Sequence, residues 1–250
     1  MDSPGKAAKQ PELVELDASG WSTKARFALR HRGVQYRSSQ YLPGLGEIWT
    51  RVRLRKFRGR ISAPLLLVPE GGVLEDSLAI AQWADQHGSK QNERLFPPEL
   101  ESQILSWNAA CDSILAYGRS TFIQEVLASP ELAVGLLPKP LQLFGPLSRL
   151  LIKYMLRQME AKWKDVDQAA SLNKVKAELR KLSDTLHTNG GEFVLGKLTF
   201  ADLAMAVATS TIEPFGTSLV PGKKVRAPGL EEFRGLISWR DQIINRPSLQ

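Results

Sequence analysis

Cysteine and histidine are scarce in this chain of 250 residues, which has one cysteine and three histidines. A single cysteine, Cys111, cannot form an internal disulfide, and it excludes a cysteine-rich metal site. His31, His87 and His187 lack the spacing of metal ligands, and no paired acidic residues indicate a metal. The composition therefore predicts no metal site, fits a reducing intracellular location, and favours Cys111 as a small core residue over a redox role.

Long apolar runs are also missing. No stretch approaches the roughly 18 apolar residues of a membrane-spanning helix, so the sequence predicts a soluble protein without a transmembrane segment. The first ten residues are polar and lack the apolar core of a signal peptide. No phosphate-binding glycine loop and no G-x-S-x-G elbow is present, which removes two large classes of enzyme.

The net charge of +7 is unevenly distributed. Residues 1–90 hold 14 of the 33 basic residues but 9 of the 26 acidic ones, and the stretch 51–60 has six bases and no acid. Two interpretations remain open for this stretch: a positive rim that attracts anions, or a solvated surface. Nucleic-acid binding is disfavoured because no interleaved aromatics or helix-turn-helix pattern accompanies the charge.

The first third of the chain has the pattern of a β-α-β unit followed by a β-β-α unit. The predicted elements are a strand at Leu13 to Leu16, a helix from Ser22 to Arg32 that ends at Gly33, a strand starting at residues 34–36, a strand from Pro64 to Val68, a return at residues 71–74, and a helix from Asp76 to Gln86. The first crossover requires a parallel strand pair. The order predicts a thioredoxin-like domain over residues 12–88.

Strand signals nearly vanish after a polar linker at residues 87–92. Helical windows are predicted at residues 100–127, 146–164, 173–188, 200–212 and 230–245. The fold class is therefore α+β: a thioredoxin-like N-terminal domain followed by an all-α C-terminal domain over residues 95–250.

The most informative motif joins Ala63-Pro64 to Asp76-Ser77. Proline is tolerated at the first residue of a strand because it has no N–H to donate. If that peptide bond is cis, the Ala63 backbone can face outward and pair with an extended, peptide-like ligand. The helix N-terminus at Asp76 and Ser77 offers N–H groups to a carboxylate, and Asp76 can accept from an ammonium. These are the requirements of a γ-glutamyl α-amino-acid end.

A second motif, Gly196 to Leu203, begins a later helix. Thr199 can cap that helix while Asp202 reaches back to the Thr199 N–H, a capping box with a structural role rather than a chemical one. Together with Ala63-Pro64, Asp76-Ser77 and the final Trp239-Arg240-Asp241 segment, it resembles the glutathione S-transferase family of the cytosolic type. The resemblance covers residues 12–88 and 192–248.

The resemblance implies a cytoplasmic, homodimeric transferase, active in detoxification, that activates the thiol of glutathione for attack on a small hydrophobic electrophile. The family's thiol-activating motif is matched by Ser19-Gly20-Trp21-Ser22. Ser19 is the implied thiolate donor, and Ser22 is the alternative, expected otherwise to be the N-cap or first residue of the helix. Serine cannot form a mixed disulfide, so conjugation, isomerisation or peroxide reduction is favoured over thiol-disulfide exchange.

The same resemblance assigns the rest of the glutathione site. Ala63 before Pro64 would pair through its backbone with the cysteinyl part, Asp76 and Ser77 would hold the γ-glutamyl end, and Arg60 or Lys56 would meet the glycine carboxylate. Residues 57–64 depart from the family's usual pattern before the proline. Candidates to line the electrophile site, with core packing as the alternative for each, are Trp107, Asn108, Tyr117 and Phe122.

Residues 136–163 resemble an insertion beyond a minimal second domain. The stretch is first proline-broken and apolar, and then an amphipathic basic helix from Leu147 to Trp163. It can pack in the ordinary way, cover the substrate cleft, pair with another subunit or touch a membrane surface. This insertion and the unusual residues before Pro64 keep a second hypothesis open: a non-catalytic transferase-like protein that binds ligands or partners.

Overall fold

A computed structural model of the chain describes residues 10–41, 45–54, 58–59, 61–135, 145–215 and 225–249. It divides into two compact units, the first ending at Leu95 and the second running from Phe96 to Ser248. The first unit contains the β-sheet. Between residue 96 and residue 249, the described residues form helices and turns without a strand, so the predicted α+β fold class is confirmed.

In the described ranges, the first unit forms four strands and three helices. Their bounds are β1 Glu12–Glu15, α1 Gly20–His31, β2 Arg37–Gln40, α2 Leu45–Leu54, β3 Leu65–Leu67, β4 Val73–Leu74 and α3 Ser77–His87. The sheet order is β2-β1-β3-β4, with β1 parallel to β2 and β3 antiparallel to both of its neighbours. This topology confirms the thioredoxin-like prediction.

Alternation along β1 divides the core of this unit into two layers, because successive strand side chains point to opposite faces. Leu13 packs with Leu66 and with apolar side chains of α1 and α3. Val14 lies in the other cluster, with Leu65 and partly buried Leu54 of α2. The sheet is therefore covered by α1 and α3 on one face and by α2 on the other.

Two bases of the stretch 51–60 are paired with acids inside this unit. The Arg53 guanidinium hydrogen-bonds both carboxylate oxygens of Glu12 in β1. This bond holds the pKa of Glu12 below its usual value. Arg51 lies 2.7 Å from Glu47, one turn earlier in α2. Each of these two bases therefore has an acidic partner within the first unit.

A buried carboxylate fixes the end of this unit. The Asp85 Oδ1 atom accepts from the Leu95 N–H at 2.7 Å and lies 3.4 Å from the Arg32 guanidinium. Arg32 follows α1 and also donates to the Asn92 carbonyl. The segment predicted as a linker, residues 87–92, is thus held against the end of α1 by specific hydrogen bonds.

The described residues of the second unit form six α-helices. They are α4 Glu101–Ala128, α5 Pro130–Gly135, α6 Pro146–Ala169, α7 Leu172–Thr188, α8 Phe200–Ala208 and α9 Leu236–Ile244, with short 3₁₀ turns between some of them. All five predicted helical windows are occupied by helix. None of the described helices combines the length and the apolar character needed to cross a bilayer.

Helix α8 is the centre of the second unit, since each of its nine residues is buried. It contacts α4 and α9. The 3₁₀ turn that follows it approaches α4 so closely that a Cβ on Gly118 would lie 2.5 Å from Thr211 Cγ2. Cys111 of α4 is fully buried, as predicted for a small core residue.

The predicted capping box begins α8. Asp202 Oδ2 accepts from the Thr199 N–H at 2.8 Å, and Asp202 Oδ1 accepts from the Val194 N–H at 2.7 Å. The carboxyl group therefore ties the preceding loop to the first turn of the helix. Burial raises the pKa of Asp202 to about 6, although these hydrogen bonds oppose the shift.

We expect Asp202→Asn to change the pH dependence of stability. The pKa of Asp202 is higher in the folded chain, about 6, than its ordinary 3.8. Its favourable contribution is therefore fully present below pH 3.8 and is lost as the pH rises through about 6, by about 1.4 kcal/mol for each unit of pKa shift. Urea unfolding of both proteins across this range measures the difference, and a constant difference would contradict the assignment.

Candidate functional site

Three segments of the first unit meet at one end of the sheet, the end at which β1 finishes and α1 begins; we call it the site end. Val14 is paired with Leu65 in the antiparallel β1–β3 ladder, and Leu66 is paired with Leu74 in the β3–β4 ladder. Continuing this register brings Ala63 opposite the end of β1 and Asp76 beside Pro64. Residues remote in sequence are thus brought to one place by strand pairing.

Two helices also begin at the site end, α1 after Ser19 and α3 after Asp76. Both pack on the same face of the sheet and contact each other. The first N–H groups of each helix have no intrahelical acceptor, and each helix carries a partial positive charge at this end. The site end is therefore suited to binding anionic groups of a ligand.

Ser19 caps α1, and this corrects the expectation that Ser22 does so. The Ser19 hydroxyl accepts from the Ser22 N–H at 3.5 Å, a long contact, and the Ser19 carbonyl accepts from the Thr23 N–H at 3.0 Å. The helix begins earlier than the apolar pattern indicated because Gly20 and Trp21 already have helical geometry.

Ser22 lies in the first turn of α1 and is fully buried. Its hydroxyl oxygen accepts from the Leu16 N–H at 3.1 Å, which joins the helix to the residue after β1. Ser19, in contrast, is only half-buried. The two serines of the Ser19-to-Ser22 motif thus have different surroundings: one hydroxyl is accessible at the helix terminus, and the other satisfies a backbone donor in the interior.

A partly buried ion pair holds α1 against β1, and the sequence analysis did not predict it. Arg26 Nε lies 2.9 Å from Glu15 Oε2, and the other carboxylate oxygen accepts from the Ser38 hydroxyl at 2.6 Å. Glu15 is the last residue of β1 and is buried. A charged residue inside a short apolar strand, eleven positions before a base in the next helix, was the available signal.

Tyr41 provides another hydroxyl near the site end, since it directly follows β2. The Tyr41 N–H donates to the Glu15 carbonyl at 2.7 Å, but the side chain lies in the cluster on the α2 face, with Val14 and Leu65. Burial raises the pKa of Tyr41, and its hydroxyl lies 3.5 Å from Glu47. Tyr41 is therefore a packing residue.

The Ala63-Pro64 peptide bond is cis. The Ala63 amide and carbonyl make no backbone hydrogen bond to another residue in the described part of the chain. Asp76 is the exposed N-cap of α3, and its Oδ1 atom accepts from the Ala79 N–H at 2.8 Å. Ser77, the first residue of α3, is buried.

Two of the candidate residues lie outside the described residues: Arg60 and Lys56. The four candidates for the electrophile site all belong to α4, in the second unit. Asn108 donates to Asp112 at 3.0 Å, Tyr117 donates to the Pro228 carbonyl at 3.1 Å, and the ring of buried Trp107 lies beneath Lys181 at 4.6 Å. Phe122 is partly buried against the core cluster of α4, α5 and α6. These contacts within one unit fit the packing interpretation.

In the part of the chain that the structure describes, side chains that can bind a metal ion are not grouped. No group of three or more His, Cys, Asp or Glu side chains in those ranges is arranged to hold an ion. The polar groups at the site end instead suit an organic ligand that carries carboxylate and ammonium groups.

Comparison with known proteins identifies the fold. Residues 18–87 match the model of the glutathione S-transferase N-terminal domain family. No significant match is found among curated proteins. Similar solved structures cover 96% of this chain: the β-etherase LigF of Sphingobium sp. strain SYK-6, with 18% identity, 97% of that chain covered and a TM-score of 0.61, and a glutathione S-transferase of Methylobacterium radiotolerans in complex with glutathione sulfonate, with 17% identity, 93% covered and a TM-score of 0.58.

A third similar structure is a glutathione S-transferase of Methylobacillus flagellatus with glutathione bound, which has 15% identity and a TM-score of 0.57, with 96% of this chain and 97% of that chain covered. At such identities the likeness shows the fold alone. The chain therefore has the glutathione transferase fold, and its first unit matches the family's N-terminal domain.

We expect Ser22→Ala to lower the free energy of unfolding by about 1–3 kcal/mol, because the Leu16 N–H loses its acceptor in the interior. Ser113→Ala is the matched control, since the Ser113 hydroxyl is buried without a hydrogen-bond partner among the described residues and its removal leaves no donor unsatisfied. Urea unfolding of the two variants tests this. Equal stabilities would show that the Ser22–Leu16 bond contributes nothing.

Proposed function

We propose that the protein is a glutathione transferase that binds glutathione at the site end of the sheet and activates its thiol. The observation that carries this proposal is the meeting of two helix N-termini and the Ala63-Pro64 segment at one end of a sheet with the glutathione transferase fold. Glutathione has two carboxylates, one ammonium and one thiol, and this chain has a candidate binding group for each of them.

Asp76 and Ser77 would hold the γ-glutamyl end. The first amides of α3, at Ser77 and Leu78, precede the first intrahelical hydrogen bond and can donate to the α-carboxylate. The Asp76 oxygen that does not cap the helix can accept from the ammonium. The opposite charges of the ligand are thus matched within one helical turn.

Ala63 would bind the cysteinyl part through its amide and carbonyl, in the manner of an added strand. This arrangement would direct the cysteinyl thiol toward the beginning of α1, because Ala63 lies opposite the end of β1 in the extended register. Arg60, or Lys56, remains the candidate for the glycine carboxylate.

Ser19 is our choice of thiolate donor, with Ser22 as the alternative. Its hydroxyl is half-buried at the N-terminus of α1, where the helix charge also favours an anion. The Ser19 oxygen acts only as an acceptor in its contact with the Ser22 N–H, so the hydroxyl hydrogen is available to a thiolate. Ser22 is less suited, since its side chain is fully buried and a ligand thiol cannot reach its hydroxyl without a rearrangement of the first turn.

The reaction proposed is attack of the thiolate on a small hydrophobic electrophile, with conjugation, isomerisation and peroxide reduction as the possible outcomes. Serine at the donor position provides no sulfur for a mixed disulfide, and the one cysteine, Cys111, is buried in α4. A cytoplasmic homodimer with a role in detoxification completes the proposal. In this proposal, residues 12–88 form the domain that binds glutathione, and residues 95–250 form the helical domain that contributes the electrophile site.

The alternative is a non-catalytic, transferase-like binding protein. The observation that favours it is the packing of Trp107, Asn108 and Tyr117 into contacts within their own unit, since each has a structural partner there. Retained glutathione binding without thiol activation would select this alternative.

Ser19→Ala is expected to abolish the depression of the bound thiol's pKa from the roughly 8.5 of a free thiol. The measurement is the ultraviolet thiolate absorbance of the glutathione complex against pH, and Ser22→Ala is measured in the same way as the test of the alternative donor. A depression that persists in Ser19→Ala moves the role to Ser22 or to the helix terminus. Absence of any binding signal in the wild type favours the non-catalytic alternative.

Asp76→Asn is expected to weaken glutathione binding at least about tenfold while leaving stability nearly unchanged, because asparagine caps helices as well as aspartate but lacks the charge. Asp76→Ala should lose both affinity and about 1 kcal/mol of stability. Calorimetric titration with glutathione and urea unfolding separate the two effects. Unaltered affinity in both variants would overturn the γ-glutamyl assignment.

A further inference from the structure

Helix α6 has two apolar faces, and among the described residues one of them packs into a core cluster while the other is exposed. Its inner face contributes Ile152 and Leu156 to the buried cluster that it forms with α4 and α5. Leu147, Leu150 and Tyr154 instead have 61%, 65% and 61% of their surface exposed. Their spacing of three and four residues aligns them in one stripe along the outside of the helix.

A row of bases runs beside this stripe. Arg149, Lys153 and Arg157 follow each other at intervals of four residues, so they lie on one side of the helix, and all three are exposed. None of them forms an ion pair with another residue in the described ranges. Residues 146–159 contain no acidic side chain. The stripe and the row together are called the outer face of α6.

We propose that the outer face of α6 binds the surface of a bilayer that contains anionic phospholipids, with the helix lying parallel to the membrane. The leucines enter the boundary between headgroups and acyl chains, Tyr154 sits at headgroup level, and the basic row meets lipid phosphates. Long basic side chains beside an apolar stripe can reach the phosphates while their stems stay in apolar surroundings. This proposal does not depend on the glutathione site.

Charge complementarity favours this occupant over a second copy of the chain. The chain has a net charge of +7, and the outer face has three cations and no acid, so two copies of this face bring like charges together. The stripe also consists of protruding side chains on a convex helix. Such a surface enters a fluid bilayer more readily than it fits a preformed groove.

Flotation with vesicles of phosphatidylcholine containing about 30% phosphatidylserine, compared with phosphatidylcholine alone, tests the proposal on the full chain. We expect binding to the anionic vesicles only, and loss of that binding in about 0.5 M salt. The apolar variant replaces Leu147, Leu150 and Tyr154 by serine. The basic variant replaces Arg149, Lys153 and Arg157 by glutamine. Each should bind at least about tenfold more weakly.

Matched control variants test whether any loss of exposed apolar side chains or positive charges weakens vesicle binding, or only their loss from the outer face. Ile48→Ser with Val52→Ser removes apolar side chains that are 68% and 54% exposed on α2. Lys90→Gln, Lys174→Gln and Arg234→Gln together remove three exposed positive charges elsewhere. Both controls should bind within about twofold of the wild type.

A fluorescence measurement gives a signal that appears on binding, so it cannot be produced by a variant that fails to fold. An environment-sensitive fluorophore is attached to the cysteine of Leu150→Cys, and Ile48→Cys is labelled in the same way as the control. Native Cys111 is fully buried, which protects it from labelling in the folded chain. Anionic vesicles should shift the emission to the blue at position 150 and leave it unchanged at position 48.

Four results would overturn the proposal. These are no binding to anionic vesicles, equal losses in the two charge variants, equal blue shifts at both labelled positions, and light scattering that shows an oligomer dissociated by the apolar variant. The last would identify a second copy of the chain as the occupant. Binding that follows the outer face in all the variants supports the membrane proposal.

Discussion

The pairing of β1 with β2 on one side and β3 on the other is the constraint on which the first unit depends. Because β1 is central, its side chains contribute to both core layers. Leu13 packs on the side of α1 and α3, and Val14 packs on the side of α2. The same pairing sets which residues meet at the site end. A slip of one residue would reverse the faces of every side chain and separate Ala63 from the end of β1.

The acids of β1 make this constraint more specific than apolar packing alone. Glu12 pairs with Arg53 of α2, and Glu15 pairs with Arg26 of α1, so each face of the strand carries one ion pair to the helix that covers it. A buried carboxylate without its partner is costly, so each pair disfavours alternative helix positions. In the second unit, Asp202 has a similar role, because it binds the loop at Val194 to the start of α8.

Much of the fold could be predicted because its signals are local. The β-α-β order, the glycine at the end of α1, the capping box of Thr199 and Asp202, and the helical windows all depend on residues within a few positions of each other. The start of α1 was misplaced because Gly20 and Trp21 carry no apolar periodicity, whereas the capping geometry of Ser19 determines the first turn. For the basic stretch the sequence left two interpretations open, and it gave no sign of the Arg53 pairing because the acid that pairs with Arg53 lies 41 residues earlier in β1.

The sequence by itself determined the fold class, the helix termini at Asp76 and Thr199, and the residue types at the proposed glutathione site. Only the tertiary structure decided that Ser22 is interior while Ser19 is accessible, that Tyr41 faces α2, and that α6 buries one apolar face and exposes another. The physical reason is that accessibility and pairing depend on which surfaces meet across the sheet and between helices. Local sequence patterns specify an apolar or polar face, but not the partner that covers it.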